Sequence, residues 1–412
     1  MIWHPFNQYY YKSEFEKILY GKGVYLYDQN HRPIIDAISS WWVNLHGHAN
    51  PVIADAIYQQ ALKLEQVIFA NFSHEPAEEL AKNLLPLLPG GMDYLFFSDN
   101  GSTSTEVALK MAVQYFHNQG IKKNKFFVFE NAYHGDTFGA MSVSGKNLFT
   151  LPFFSMLFEV ITLPLPNMEN IEEVLEICEK NAKSMDVAAI ILEPLVQGAG
   201  GMKFYEPRFL DEILAFIKKN DILFIADEVM TGFGRTGTLF ATEKIKHKPD
   251  IICLSKGITG GFLPLGVTAC KSFIFDAFIS SEFNKTFFHG HSYTANPLAC
   301  AAAIASLKLT TDPSTYESWK QIENQHIEFS SLVKNHKKLK NVRYLGTIWA
   351  AEIEDPKSHY ENPMSYEWAK KAIQKGVLLR PLGNTLYILP PYCITKEQLN
   401  QIYDVILQIL DE

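Results

Sequence analysis

Six short runs in the middle of this 412-residue chain are almost wholly apolar: Tyr94–Ser98, Lys125–Phe129, Val187–Leu192, Ile222–Ala226, Asp250–Leu254 and Leu265–Ala269. Between most of them lie amphipathic stretches long enough for crossover helices, such as Thr105–His117 and Glu206–Lys219. A strand with one wet face alternates polar and apolar residues, whereas a strand covered on both faces does not. Continuous apolar strands joined through helices therefore predict an α/β fold on a largely parallel sheet, covered on both faces.

The two ends read differently. Residues 21–38 look like hairpin strands, with turn chemistry at Asp28-Gln-Asn30. Beyond Leu307 come polar helical stretches, strand-like segments at 346–353 and 385–389, and a final amphipathic helix near 395–410. Both ends mix strands with helices. They are expected to form one smaller α+β domain, from residues 1–48 and 308–412, beside a large domain at 49–307.

Composition narrows the function. With 47% apolar residues, 29 Phe and 19 Tyr, the chain can offset its ordering entropy and is not a disordered protein. A net charge of −8 argues against nucleic acid as a partner, and the basic run Lys334–Lys340 reads as a solvated helix end. The greasiest stretch, Leu151–Pro166, is broken by Ser155, Glu159 and prolines, short of the ~18 apolar residues a membrane span needs. The first residues lack the basic head and apolar run of a signal peptide. Five scattered cysteines without CxxC spacing indicate neither a metal site nor a disulfide framework. A reducing, cytoplasmic setting is the expectation.

Open parallel sheets bind ligands beyond the carboxyl ends of their strands, and the unusual residues collect there. After Ser98 comes Asp99-Asn-Gly-Ser-Thr-Ser-Thr105, where Gly101, hydroxyls and a helix N-terminus suit a phosphate. Taken alone it reads as an ordinary N-cap. After Ala226 comes Asp227-Glu-Val-Met-Thr-Gly-Phe-Gly-Arg-Thr-Gly237. A carboxylate leaving a buried strand needs a cationic or protonated partner, and a structural ion pair with Arg235 would also meet that need. After Leu254 comes Ser-Lys256-Gly, 29 positions beyond Asp227, about one crossover unit. Adjacent strands would bring that lysine near the acid. A lysine beside an acid and a phosphate cup can form a Schiff base with pyridoxal phosphate while the acid keeps the pyridine nitrogen protonated.

Other strings fit the same picture. Asn131-Ala-Tyr-His-Gly-Asp136 offers the Tyr133 ring for stacking, or a satisfied Tyr-His corner. Phe287–Thr294 is a donor-rich loop, Ser39-Ser-Trp-Trp-Val43 a hydrophobic wall, and Arg380 a carboxylate clamp. On its own the tryptophan pair reads as core packing.

Together these strings resemble the class III, fold-type-I pyridoxal-phosphate aminotransferases, over about residues 3–405. Trp3-His-Pro-Phe6, Ser40-Trp-Trp42, Tyr133–Ser142, Val196–Gly201, Leu379–Gly383 and Tyr387–Tyr392 resemble the branch that aminates 8-amino-7-oxononanoate to 7,8-diaminononanoate in biotin synthesis. The resemblance implies pyridoxal phosphate as cofactor, a homodimer, and S-adenosylmethionine as amino donor. Lysine as donor, or another class III reaction on an ω-amino acid or amine, is the alternative.

Roles follow by position. Lys256, Asp227 and Tyr133 would be the catalytic residues: Lys256 carrying the cofactor and moving the proton, Asp227 pairing with the pyridinium, Tyr133 stacking on the ring. Val229 would pack on the other face. Gly101 and Ser102 would hold the phosphate. Gly290, His291 and Ser292 match a loop reaching across from the other subunit, with Ser292 on the phosphate. Phe6, Trp41, Trp42, Gly290 and Arg380, with Tyr133 and Lys256, would meet the substrate, Arg380 at its carboxylate. Phe6 stands where the family often has a Tyr, and His291-Ser292 where some members have Pro-Thr. His291 resembles members that use lysine, the tryptophan pair those that use S-adenosylmethionine.

Overall fold

The computed structural model describes residues 2–11, 14–146, 149–354 and 364–412. They form two compact units: Met1–Pro51 with Asp312–Glu412, and Val52–Thr311.

The first unit opens with an antiparallel meander of β1 (Ile18–Lys22), β2 (Tyr25–Asp28) and β3 (Pro33–Asp36). Its β2–β3 turn is closed by Asp28, whose Oδ1 accepts the amides of Asn30 (2.8 Å) and Arg32 (2.9 Å). This is the Asx-type turn that the Asp-Gln-Asn string predicts.

The second unit holds β4 (Tyr94–Ser98), β5 (Lys125–Phe129), β6 (Ile161–Leu163), β7 (Val187–Leu192), the short hairpin of β8 (Val196–Gln197) and β9 (Lys203–Phe204), then β10 (Leu223–Asp227), β11 (Ile251–Leu254) and β12 (Gly266–Cys270). Seven of these form one sheet in the order β4-β12-β11-β10-β7-β5-β6. All run parallel except β12, which is antiparallel to both its neighbours. The reason is connection length. The link from Leu254 to Gly266 is too short to carry a helical crossover, so the chain reverses instead.

The helix Gly101–Asn118 starts four residues before the apolar pattern that announces it. Asn100 caps it, accepting the Thr103 amide at 3.0 Å in a reciprocal capping box. Its buried face, Val107, Ala108, Met111 and Ala112, shares a core with Phe126, Val128, Ile191 and Ile225. Each of the fully buried Val and Ile side chains contributes about 1.5–3 kcal/mol. β6 is three residues long and escapes a reading based on apolar runs.

The chain then returns to the first unit with the helix Pro313–Val333, β13 (Leu339–Leu345), β14 (Ile348–Ile353), β15 (Val377–Leu378), β16 (Thr385–Ile388) and the helix Lys396–Asp411. β13, β14 and β16 make a three-stranded antiparallel sheet. β15 pairs with β3 in parallel, so both chain ends share one sheet. The basic run at 334–340 caps a helix, as expected, but its last residues belong to β13. There Lys340 meets Glu354, giving an edge strand the charge that discourages further pairing.

Candidate active site

β10 and β11 are parallel neighbours, with Asp227 opposite Cys253. Lys256 lies three residues past that point, so the two strands deliver acid and lysine to the same end of the sheet. Lys256 takes a left-handed φ of 44°, unusual for a side-chain-bearing residue, and opens the turn Lys256–Thr259. Ser255 holds the entry to that turn by donating its hydroxyl to the Leu265 carbonyl at 2.7 Å.

Asp227 is 4% exposed. Its Oδ1 accepts the Val229 amide at 3.0 Å and its Oδ2 meets His134 Nδ1 at 2.6 Å. An ionised carboxylate only accepts, so Nδ1 carries the proton. His134 Nε2 is buried with no hydrogen-bond partner among the described residues. The partner of the acid is thus the histidine of the Tyr-His string, a pairing that sequence spacing alone could not reveal.

A second buried carboxylate stands close by. Glu193, just past β7, is 5% exposed; its Oε1 accepts the Gly198 amide at 2.9 Å and its Oε2 the Tyr133 amide at 3.3 Å. Burial, reinforced by the Asp227 charge and opposed by His134, pushes its pKa up to about 7. Lys256 is shifted the other way: burial lowers its pKa, while the carboxylates of Asp227 and Glu193 pull it back up. The sequence signal for Glu193 is the one that flags Asp227, an acid directly after a continuous apolar strand.

The phosphate cup predicted at Gly101 and Ser102 is the N-terminus of an 18-residue helix. Asn100 takes the amides of Thr103 and Ser104, which leaves those of Gly101 and Ser102 as the pair a phosphate can use. Gly101 cannot be larger, because a Cβ there would sit 2.8 Å from Val229 Cγ1. The 133–136 loop packs onto the same helix end. Asp136 donates its amide to Ser102 Oγ at 3.1 Å, and Gly135, at φ 133°, lies so close to Ser102 that no Cβ fits. Tyr133 donates its hydroxyl to Asp136 Oδ2 at 2.9 Å. One turn along the helix, Glu106 Oε1 accepts from Thr137 Oγ1 (2.5 Å) and from the amides of Gly139 (2.7 Å) and Ala140 (3.1 Å). Glu106 escapes the sequence reading because a Glu inside an amphipathic helix carries no local mark.

Gly290 and Ser292 are exposed, the Ser292 carbonyl accepts from Gln66 Nε2 at 2.8 Å, and His291 Nε2 stands 3.5 Å from Asp99 Oδ1. In the first unit, the Arg380 guanidinium lies over the Trp41 ring, 4.0 Å from its centroid, and 5.9 Å from that of Phe6. Phe6 and Trp41 meet edge to face at 5.4 Å. Trp41 is 38% exposed, but Trp42 is 4% exposed and donates Nε1 to Tyr387 Oη at 3.0 Å. One tryptophan therefore faces solvent and the other belongs to the core. Buried Asp36 shapes that turn: it accepts the amides of Ile38 (3.1 Å) and Ser40 (2.6 Å) and meets His48 Nε2 at 2.9 Å.

Pyridoxal phosphate fits the residues of the second unit. A buried carboxylate oriented by a histidine suits a pyridinium, two helix-end amides beside a close-packed glycine suit a phosphate, and a lysine of lowered pKa suits a reactive carbonyl.

The family model for Aminotransferase class-III matches residues 11–410. The chain is 49% identical to the adenosylmethionine-8-amino-7-oxononanoate aminotransferase of Synechococcus elongatus, over all of this chain and 98% of that protein. It is 39% identical to the protein of the same name from Helicobacter pylori, over all of this chain and 96% of that one. Among solved structures, the like-named enzyme of Methanocaldococcus jannaschii superimposes with a TM-score of 0.93 at 36% identity, covering 99% of this chain and 97% of that one. An amine transaminase from an uncultivated Pseudomonas species, solved with pyridoxal phosphate bound, gives 0.92 at 28% identity, over 100% and 98% of the two chains. With its lysine, its histidine-paired acid and the helix N-terminus at Gly101 at one end of the sheet, the chain belongs to the class-III aminotransferases, which are pyridoxal-phosphate-dependent enzymes.

Proposed function

We propose that this chain transfers an amino group to 8-amino-7-oxononanoate, giving 7,8-diaminononanoate, with S-adenosylmethionine as donor. The observation that carries the reading is full-length similarity, at 36–49% identity, to relatives whose shared name states that substrate pair. The Asp227–His134 pair beside Lys256 supports the chemistry. When bound, pyridoxal phosphate supplies the carbonyl that receives and returns the amino group, and a ring that withdraws electrons during the proton shift.

The residues of the chain do the rest. Asp227 holds a positive ring nitrogen by charge, with its orientation fixed by His134 and the Val229 amide. Val229 and Tyr133 provide the two faces between which a flat ring fits. Gly101 and Ser102 take the phosphate. Lys256 anchors the cofactor through its amine and then moves the proton; its depressed pKa increases the fraction that is neutral and basic. The Gly290–Ser292 segment, exposed at Gly290 and Ser292, is proposed to serve the phosphate of a second copy in a cytoplasmic homodimer. A monomer by light scattering that still holds cofactor and turns over would remove that role. Among the described residues no helix is long and apolar enough to cross a membrane.

A donor panel tests the function. The purified protein with 8-amino-7-oxononanoate is expected to form 7,8-diaminononanoate when given S-adenosylmethionine. Product with lysine alone would replace the donor, and no product with any donor would redirect the search to ω-amino acids and amines.

Arg380 is assigned to the substrate carboxylate. A guanidinium–carboxylate fork contributes about 1.5–3 kcal/mol, and the Arg380 guanidinium already rests over the Trp41 ring. Arg380→Ala is expected to weaken both substrates by roughly 10–150-fold, with the visible spectrum of bound cofactor unchanged. Unaltered half-reaction constants for both substrates would take Arg380 out of the site.

A further inference from the structure

We propose that Glu193 is a positioning residue of the transamination site: its carboxylate ties the backbone of Tyr133 to that of Gly198 and so fixes the loop that carries His134, the partner of Asp227. The inference rests on the function proposed above but names a residue outside the expected machinery.

The geometry is that of a clamp. Each carboxylate oxygen takes one amide, Gly198 at 2.9 Å and Tyr133 at 3.3 Å, and these amides belong to different loops. Glu193 is itself held, because its carbonyl accepts the hydroxyl of Tyr205, which follows β9. The Tyr133 loop is thereby fixed at both ends: Glu193 grips its first residue, and Ser102 and Glu106 grip Asp136 and the turn after it. Between those grips sit the Tyr133 ring and His134, the partner of Asp227. A shift of the first grip moves both groups at once.

The charges around Glu193 come from every side. Asp227 ends β10, His134 comes from the clamped loop, Lys256 follows β11, and Tyr205 stands on Glu193's own carbonyl, with buried Glu228 near Tyr205. Burial costs the ionised carboxylate enough to bring its pKa to about 7. A raised acid pKa in the folded state means that the ionised form destabilises the fold. Its contribution to stability is complete below pH 4.5 and is lost as pH rises through 7.

Glu193→Gln keeps the shape, removes the charge, and turns one oxygen into a donor that faces an amide N–H. Glu193→Asp keeps the charge but is one methylene too short to reach both amides. In cofactor-free protein, the melting temperature of wild type is expected to fall between pH 5 and 8 more steeply than that of Glu193→Gln. In loaded protein, Glu193→Gln is expected to lose a spectral titration step near pH 7, to alter the visible circular dichroism of bound cofactor, and to lower kcat about 10–100-fold with KM within 3-fold. Glu193→Asp should keep the titration step and still lose kcat. If both variants match wild type in spectrum, titration and kcat, Glu193 has no positioning role. If one variant fails to fold, the other and the wild-type stability profile decide the matter. Wild type that binds no cofactor would overturn the proposed function instead, and the pH profile of the cofactor-free protein would still test the buried charge.

Discussion

Lys256→Ala is expected to abolish transamination, lowering turnover by roughly 10⁴-fold or more, the scale of a lost nucleophile that also serves as general base. Two described lysines in the second unit have pKa values lowered by burial, Lys123 and Lys256. They differ in what surrounds them. Lys123 donates to the Asp221 carbonyl and lies over the Phe116 ring, 4.4 Å from its centroid, which is a structural berth. Lys256 faces the carboxylates of Asp227 and Glu193 at the end of the sheet. With the roles proposed for Lys256, removing its amine would take away both the covalent anchor and the base. The protein should still fold, because Lys256 lies on a turn beyond β11 and the flanking Ser255 bond to Leu265 is untouched. Borohydride reduction of loaded wild type should fix cofactor mass on the peptide containing Lys256, and the variant should show none. Substantial turnover by the purified variant would sink the assignment.

What the sequence revealed and what it hid divide along a physical line. Apolar runs report burial directly, so β4, β5, β7, β10 and β11 are legible to within a residue or so, and the acid and lysine at the ends of β10 and β11 fall on neighbouring strands as their spacing suggests. The direction of β12 is not in its own composition but in the short link before it. The braces of the site are hidden for a different reason. Glu106 acts on backbone amides, and amides leave no trace in a sequence; Glu193 shows as an acid after an apolar strand, but the two amides it holds do not show. His134 was visible as half of a Tyr-His pair, yet its contact with Asp227 spans 93 positions and needs the fold. The Trp41-Trp42 pair shows the limit from the other side. Adjacent residues of one type are sent to opposite environments by a turn in which Ser39, Ser40 and Trp42 all take positive φ.

Asp227→Asn is expected to retain some cofactor and to lose about 10²–10⁴-fold in the rate of each half-reaction. The change is small in volume and large in charge. In wild type both carboxylate oxygens accept, one from the Val229 amide and one from His134 Nδ1. An asparagine offers one acceptor and one donor, so one of those two N–H groups would face an NH₂. The imidazole can relieve that clash only by moving its proton from Nδ1 to Nε2, and Nε2 is buried with no partner among the described residues. The substitution therefore disorders the pair whichever way the amide turns, in addition to removing the charge that holds a ring nitrogen positive. Removing one partner of the buried charge pair that Asp227 would make with a positive ring nitrogen costs about 3–5 kcal/mol, and at 1.4 kcal/mol per decade that is the expected loss. Single-turnover measurements with each substrate separate this loss from cofactor release, provided the variant is saturated with pyridoxal phosphate. Rates within a few-fold of wild type under those conditions would mean that another group keeps the ring nitrogen protonated, and that Asp227 with His134 is a structural pair at the end of β10.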